Sequence, residues 1–138
     1  MNEVSLNGDS HIEAIPTIKQ KALRINLNEN IYGTFAEIGA GQETVRQFFR
    51  VGGASGTIAK AMSAYDKRFS DDIYGIEDDQ RYVTENRLRK MLKHETNLIE
   101  KRIQRKNQPN KMFFCYANTV ATVAVSYTHL RAHETLHY

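Results

Sequence analysis

The feature that most limits the fold is one long amphipathic stretch set between two strand-like runs. From Thr84 to Lys106 the apolar residues Leu88, Met91, Leu92, Leu98, Ile99 and Ile103 recur at helical spacing, so one face of that helix must be buried against something. Ile31 to Ile38 (IYGTFAEI) and Met112 to Val123 (MFFCYANTVATV) are rich in β-branched and aromatic residues and read as strands. Asn107 to Asn110 (NQPN) ends the helix before the second run, because proline cannot continue it. A helix between two strands points to a sheet with a helical layer on it.

The remaining segments fill in the order. Residues 1 to 16 are polar and lack periodicity, which predicts a flexible lead-in. Pro16 and Thr17 open a short helix with Ile18, Ala22, Leu23, Ile25 and Leu27 as its apolar stripe. Gln42 to Val51 (QETVRQFFRV) reads as a second helix closed by Gly52 and Gly53, with Val45, Phe48 and Phe49 on one face. In Thr57 to Tyr65 (TIAKAMSAY) the alternation suits a strand while alanine and lysine suit a helix; the strand, ending at Asp66, is preferred. Phe69 to Gly75 reads as a single turn capped by Ser70, and Ile76 to Arg81 (IEDDQR) as a charged surface loop. The fold class is therefore α/β, a fragment of a larger layered domain whose C-terminal part is missing. The truncated domain spans 17 to 124.

Composition narrows the setting. With 41% hydrophobic and 25% charged residues in 138, the chain has the balance of a globular protein. Met1 to Ser10 carries no basic segment followed by an apolar one, and no stretch approaches the length of a membrane helix. The expectation is a cytoplasmic protein without a membrane partner. Cys115, the one cysteine, sits in the apolar run MFFCY and reads as a small buried hydrophobe.

The turn after the first strand is the leading candidate site. Phe35-Ala36-Glu37-Ile38-Gly39-Ala40-Gly41 resembles the first motif of class I methyltransferases, in which an acidic strand end leads into a G-x-G turn over the cofactor. Glycines allow close backbone approach, and the helix that follows offers free N–H groups. On that reading Glu37, Gly39 and Gly41 contact a nucleotide or S-adenosylmethionine, and Asp66 accepts from ribose hydroxyls. The third glycine of such fingerprints is absent, with Glu43 and Thr44 in its place, and a carboxylate there would repel a phosphate; the same glycines equally serve a tight turn between packed elements with no ligand, and that reading is preferred. Gly52 to Thr57 (GGASGT) lacks the G-K-[ST] ending of a phosphate loop.

The long helix is basic. Arg87, Arg89, Lys90, Lys93, Lys101, Arg102, Arg105 and Lys106 stand against Glu85, Glu95 and Glu100. Such an excess can meet nucleic-acid phosphates, and it also suits the solvated face of an amphipathic helix. His94 reads as a surface residue.

Val125 to Thr135 (VSYTHLRAHET) resembles a translated sequencing adapter, which makes 125 to 138 a non-native tail. Within it His133-Glu134-Thr135-Leu136-His137 fits H-E-x-x-H, the spacing that puts two zinc-binding histidines one helical turn apart with a catalytic glutamate. The adapter likeness makes this metal site an artefact, so no metal is expected.

Tyr32 to Glu43 (YGTFAEIGAGQE), Phe48-Phe49-Arg50, Gly56 to Lys60 (GTIAK), Ser63 to Asp66 (SAYD) and Ile73-Tyr74-Gly75 resemble an uncharacterised bacterial family of considerably longer proteins. Its members carry the names TonB-dependent receptor and nicotinate-nucleotide adenylyltransferase. The first name implies a signal peptide and many membrane strands, and the second a G-x-F-x-P-x-H loop; after Gly33-Thr34-Phe35 this chain has neither proline nor histidine. A structural or interaction role is the first functional reading. The rival is a nucleotide- or S-adenosylmethionine-binding transferase using the Gly39-Ala40-Gly41 turn, and nucleic-acid binding by the basic helix is the third.

Overall fold

The computed structural model describes residues 14–103, 110–122 and 135–137. Most of the lead-in, the end of the long helical stretch and 123–134 lie outside the described residues. The elements are α1 (Ile18–Asn26), β1 (Ile31–Gly39), α2 (Thr44–Val51), β2 (Ile58–Ala64), α3 (Lys67–Tyr74), α4 (Glu85–Arg102), β3 (Met112–Thr122) and β4 (Thr135–His137).

The strands form one sheet in the order β2-β1-β3-β4. β1 runs parallel to both β2 and β3, and β4 pairs antiparallel with Val120 to Thr122. The register sets Phe35 beside Ala61 and Tyr116, and Ile38 beside Ala64 and Thr119. Because side chains alternate along a strand, Phe35, Glu37, Tyr116 and Asn118 share one face, while Ala36, Ile38, Met62, Ala64 and Ala117 share the other.

The first face is aromatic. Phe35, 2% exposed, has the rings of Phe48, Phe114 and Tyr116 at 5.0, 5.5 and 5.4 Å. Phe48 brings α2 onto this face, and α1 packs on α2. α1 starts with a capping box, in which Thr17 accepts from the Gln20 N–H and the Gln20 side chain accepts from the Thr17 N–H. Its buried residues are Ala22 and Asn26. Asn26 Nδ2 donates to the carbonyls of Phe48 and Gly52 at 2.9 and 2.8 Å, tying α1 to the end of α2. The expected apolar stripe is thus corrected: Ile18, Leu23 and Leu27 are exposed, because a polar contact and not the stripe sets the helix rotation.

The second face carries the compact core, Ile38, Ala64, Tyr74 and Met91, with Met62, Ile73 and Ala117 against it. α3 and α4 supply it. The expected single turn at Phe69 to Gly75 is a full helix that begins two residues earlier, because Asp66 caps it by accepting from the Phe69 N–H at 3.2 Å. Ser70, read as the cap, is instead 2% exposed within α3. The sheet with helices on both faces is the α/β architecture expected from the element order. No helix among the described residues is long and apolar enough to cross a membrane.

Candidate functional site

Glu37 points from the end of β1 to the start of α2. Its Oε2 accepts from the N–H groups of Glu43 and Thr44 at 3.1 and 3.0 Å, and its Oε1 from Val45 at 2.9 Å. Asn118 Nδ2 on β3 donates to Oε2 at 2.9 Å. The carboxylate is 1% exposed and sits at the positive end of the helix, where a negative group is stabilised. The first-turn N–H groups, read from sequence as open to a cofactor, are therefore taken by a side chain of the same chain.

The two glycines serve the same close packing. Gly39 has φ +85°, and a Cβ there would run into the Val120 carbonyl. A Cβ on Gly41 would lie 2.8 Å from Val120 Cγ2 and 3.2 Å from Asn118 Oδ1. Beside them Gln42 holds φ 31°, and its Nε2 donates to the Gly39 carbonyl at 2.7 Å. The turn is tight because it passes β3, so its glycines are explained without a ligand.

A cleft of about 370 Å³ opens at the carboxyl ends of β2, β1 and β3, the edge at which open parallel sheets bind ligands. Ile38, Gly39, Thr119 and Val120 form its sheet side, Tyr65, Asp66, Lys67 and Ser70 its second side, and Tyr82, Val83 and Arg87 its third. Of the four residues read from sequence as cofactor contacts, Gly39 and Asp66 line this cleft together. Glu37 and Gly41 do not. Tyr65 is 68% exposed, and Lys67 lies with Nζ 5.3 Å from the Tyr82 ring centre.

Beneath the cleft lies a network of buried charge that the periodicity did not reveal. Arg87, 1% exposed, donates through Nη1 to the Gly75 carbonyl and Glu77 at 2.5 and 2.8 Å, and through Nη2 to Ser70 and Asp71 at 2.8 and 3.3 Å. Its guanidinium also stacks 4.8 Å from the Tyr82 ring centre. Glu77 takes a second cation, Lys90 Nζ, at 3.0 Å. Burial works to raise the Glu77 pKa, but the hydrogen bonds from Lys90 and Arg87 outweigh it and hold the carboxyl below its usual range. The expected charged surface loop thus has its glutamate inside, because two basic residues of α4 reach it. Glu95, read as solvated, is buried as well, accepting from the Tyr74 hydroxyl at 2.7 Å and pairing with Lys60 at 2.5 Å.

Neither Tyr74 nor Cys115 is set up as a nucleophile. Burial, with the Glu95 hydrogen bond and charge added, pushes the Tyr74 hydroxyl well above its ordinary value. Burial and the charge of Glu95 push the Cys115 thiol up to about 11.

The basic helix is partly neutralised. Arg87, Arg89 and Lys90 are paired with carboxylates, Lys93, Lys101 and Arg102 are exposed, and Arg105 and Lys106 lie outside the described residues. His94 is exposed, its ring edge-on to Tyr74 at 5.3 Å. In the tail, His133 and Glu134 lie outside the described residues, while Thr135–His137 is extended.

No family model matches the chain, and no curated protein matches it. Its fold is similar to two solved structures. One is the competence/damage inducible protein CihA from Agrobacterium tumefaciens, at TM-score 0.52 and 14% identity over 92% of this chain and 82% of that one. The other is a competence-damaged protein (CinA) superfamily protein from Enterobacter cloacae, at TM-score 0.50 and 12% identity over 91% and 80%. At these identities the likeness is one of fold.

Replacing Glu37 by alanine leaves three helix N–H groups and the Asn118 amide without their acceptor. Glu37→Ala should cost on the order of 3 kcal/mol in urea unfolding, and Glu37→Gln distinctly less, because an amide oxygen retains one acceptor. Equal stability of Glu37→Ala and the parent chain would contradict the capping role.

Proposed function

We propose that this domain binds a small ligand of the nucleotide or S-adenosylmethionine class in the cleft at the carboxyl ends of the parallel strands. The observation that carries the reading is the joint presence there of an exposed aromatic ring, Tyr65, a cation, Lys67, and a carboxylate, Asp66, around about 370 Å³. That volume lies within the range of small-ligand pockets, roughly 300 to 1,000 Å³. A flat base stacks on Tyr65, an anionic group meets Lys67, and Asp66 accepts from ribose hydroxyls through Oδ1 while Oδ2 caps α3. The ligand then uses the cleft wall at Gly39 and not the start of α2, where Glu37 already serves the N–H groups. No group of the cleft is assigned to chemistry, so the reading is one of binding.

Thermal unfolding with adenosine monophosphate and with S-adenosylmethionine tests it. At a hundredfold excess over Kd a bound ligand stabilises the fold by about 2.7 kcal/mol, so one of the two should raise the Tm. Tyr65→Ala and Lys67→Ala should each reduce the shift. An unchanged Tm with both ligands would sink the proposal.

We also propose that residues 125–138 are not native to the protein. Supporting this is the run of Val125 to Thr135 itself; the pairing of Thr135–His137 with β3 is made by main-chain groups that any extended segment supplies. Amplification of the source gene across codon 125 should give a different continuation. An uninterrupted genomic reading of 125 to 135 would overturn the point.

A further inference from the structure

We propose that residues 75–83 form a strap that closes one side of the cleft and is latched by a single buried carboxylate, Glu77, on Arg87 and Lys90. As a device controlling access to the proposed ligand site, it rests on that reading. The latch itself rests on the contacts.

The strap joins α3 to α4 without helix or strand of its own. Gly75 has φ 97° and Gln80 φ 62°, so the chain turns sharply at its start and again near its middle. Gly75, Ile76 and residues 78–81 are exposed, Tyr82 and Val83 are half-buried, and Glu77 alone is fully buried. The strap therefore contributes no fully buried apolar side chain. What holds it is polar: Arg87 on Gly75 and Glu77, Lys90 on Glu77, Asn86 Nδ2 on Glu77 Oε1 at 3.1 Å, the Tyr82 hydroxyl on Asp71 at 2.9 Å, and Thr119 Oγ1 on the Tyr82 carbonyl at 2.9 Å. A segment with exposed backbone and few apolar contacts opens at lower free energy than the core.

The two sides of the latch are unequal. Arg87 is also bound to Ser70 and Asp71 of α3, so it keeps hydrogen-bond partners and a counter-charge when the strap leaves. Glu77, carried on the strap, would move into water. Opening therefore strands no unpaired buried charge, which is the usual barrier to breaking an interior ion pair. Because Tyr82 and Val83 line the cleft, the same motion removes one of its sides.

Hydrogen exchange followed by mass spectrometry on the full chain tests this. In Glu77→Gln, peptides covering 76–83 should exchange at least roughly tenfold faster while α4 peptides keep their rate. Lys90→Gln, which leaves the Arg87 contact in place, should give a smaller acceleration in the same peptides. Unchanged strap exchange in both variants, or equal acceleration in α4, overturns the latch. Whichever of adenosine monophosphate and S-adenosylmethionine raises the Tm should, at saturation, slow strap exchange in the parent chain. A thermal shift with this ligand and no change in strap exchange overturns the access role and leaves the ligand site standing; strap loosening in the variants with no thermal shift for any ligand removes the site and leaves the latch.

Discussion

The buried carboxylate of Glu37 is where three elements meet. It belongs to β1, caps α2, and accepts from Asn118 on β3. A carboxylate with this many charge-assisted donors holds its geometry firmly, and the tight turn at Gly39 follows from the strand having to pass β3 before the helix starts. The consequence for function is direct. In many nucleotide-binding folds the first helix N-terminus is empty until an anion arrives; here it is filled from within. The cleft of about 370 Å³ lies on the other side of the turn, between the sheet edge, α3 and the strap.

Charge is distributed in the same manner elsewhere. The apolar core is small, resting on Ile38, Ala64, Tyr74 and Met91, and beside it Arg87, Glu77 and Glu95 are each nearly inaccessible. Buried ion pairs contribute less to stability than their distances suggest, since desolvation offsets attraction, but removing one partner is costly. Such a network fixes which arrangement of α3, strap and α4 is adopted. It also removes Arg87 and Lys90 from the pool of basic residues that α4 could offer to nucleic acid.

The sheet and its main helices were legible in the sequence because their signals are periodic and local. α4 shows in the spacing of Met91 and Ile99, β1 and β3 in their β-branched and aromatic runs, and the alternation of helix and strand points to a layered α/β sheet but not to the direction of its strands. What could not be read were interactions between distant positions. Asn26 gave no sign that it would be buried while Leu23 and Leu27 were left outside, because its partners are carbonyls on α2. Ser70 has the side chain of a cap, yet Asp66, four residues earlier, accepts from the Phe69 N–H and caps α3. Glu77 stood in a run of charges and drew in only because Arg87 and Lys90 face it. The sequence signal for the cap is the acidic residue at the strand end followed by a helix start, a pattern that serves a bound ligand or the helix itself equally well.

A ligand can meet this domain in two places, the cleft beside α3, as proposed, or the glycine turn before α2. Titrating adenosine monophosphate and, separately, S-adenosylmethionine into isotope-labelled protein and following backbone amide resonances separates the two directly. With the ligand in the cleft, shifts should be concentrated at Tyr65 to Ser70, Tyr82, Val83 and Thr119, with the amides of Glu43, Thr44 and Val45 unmoved. Shifts concentrated at those three amides would contradict that placement.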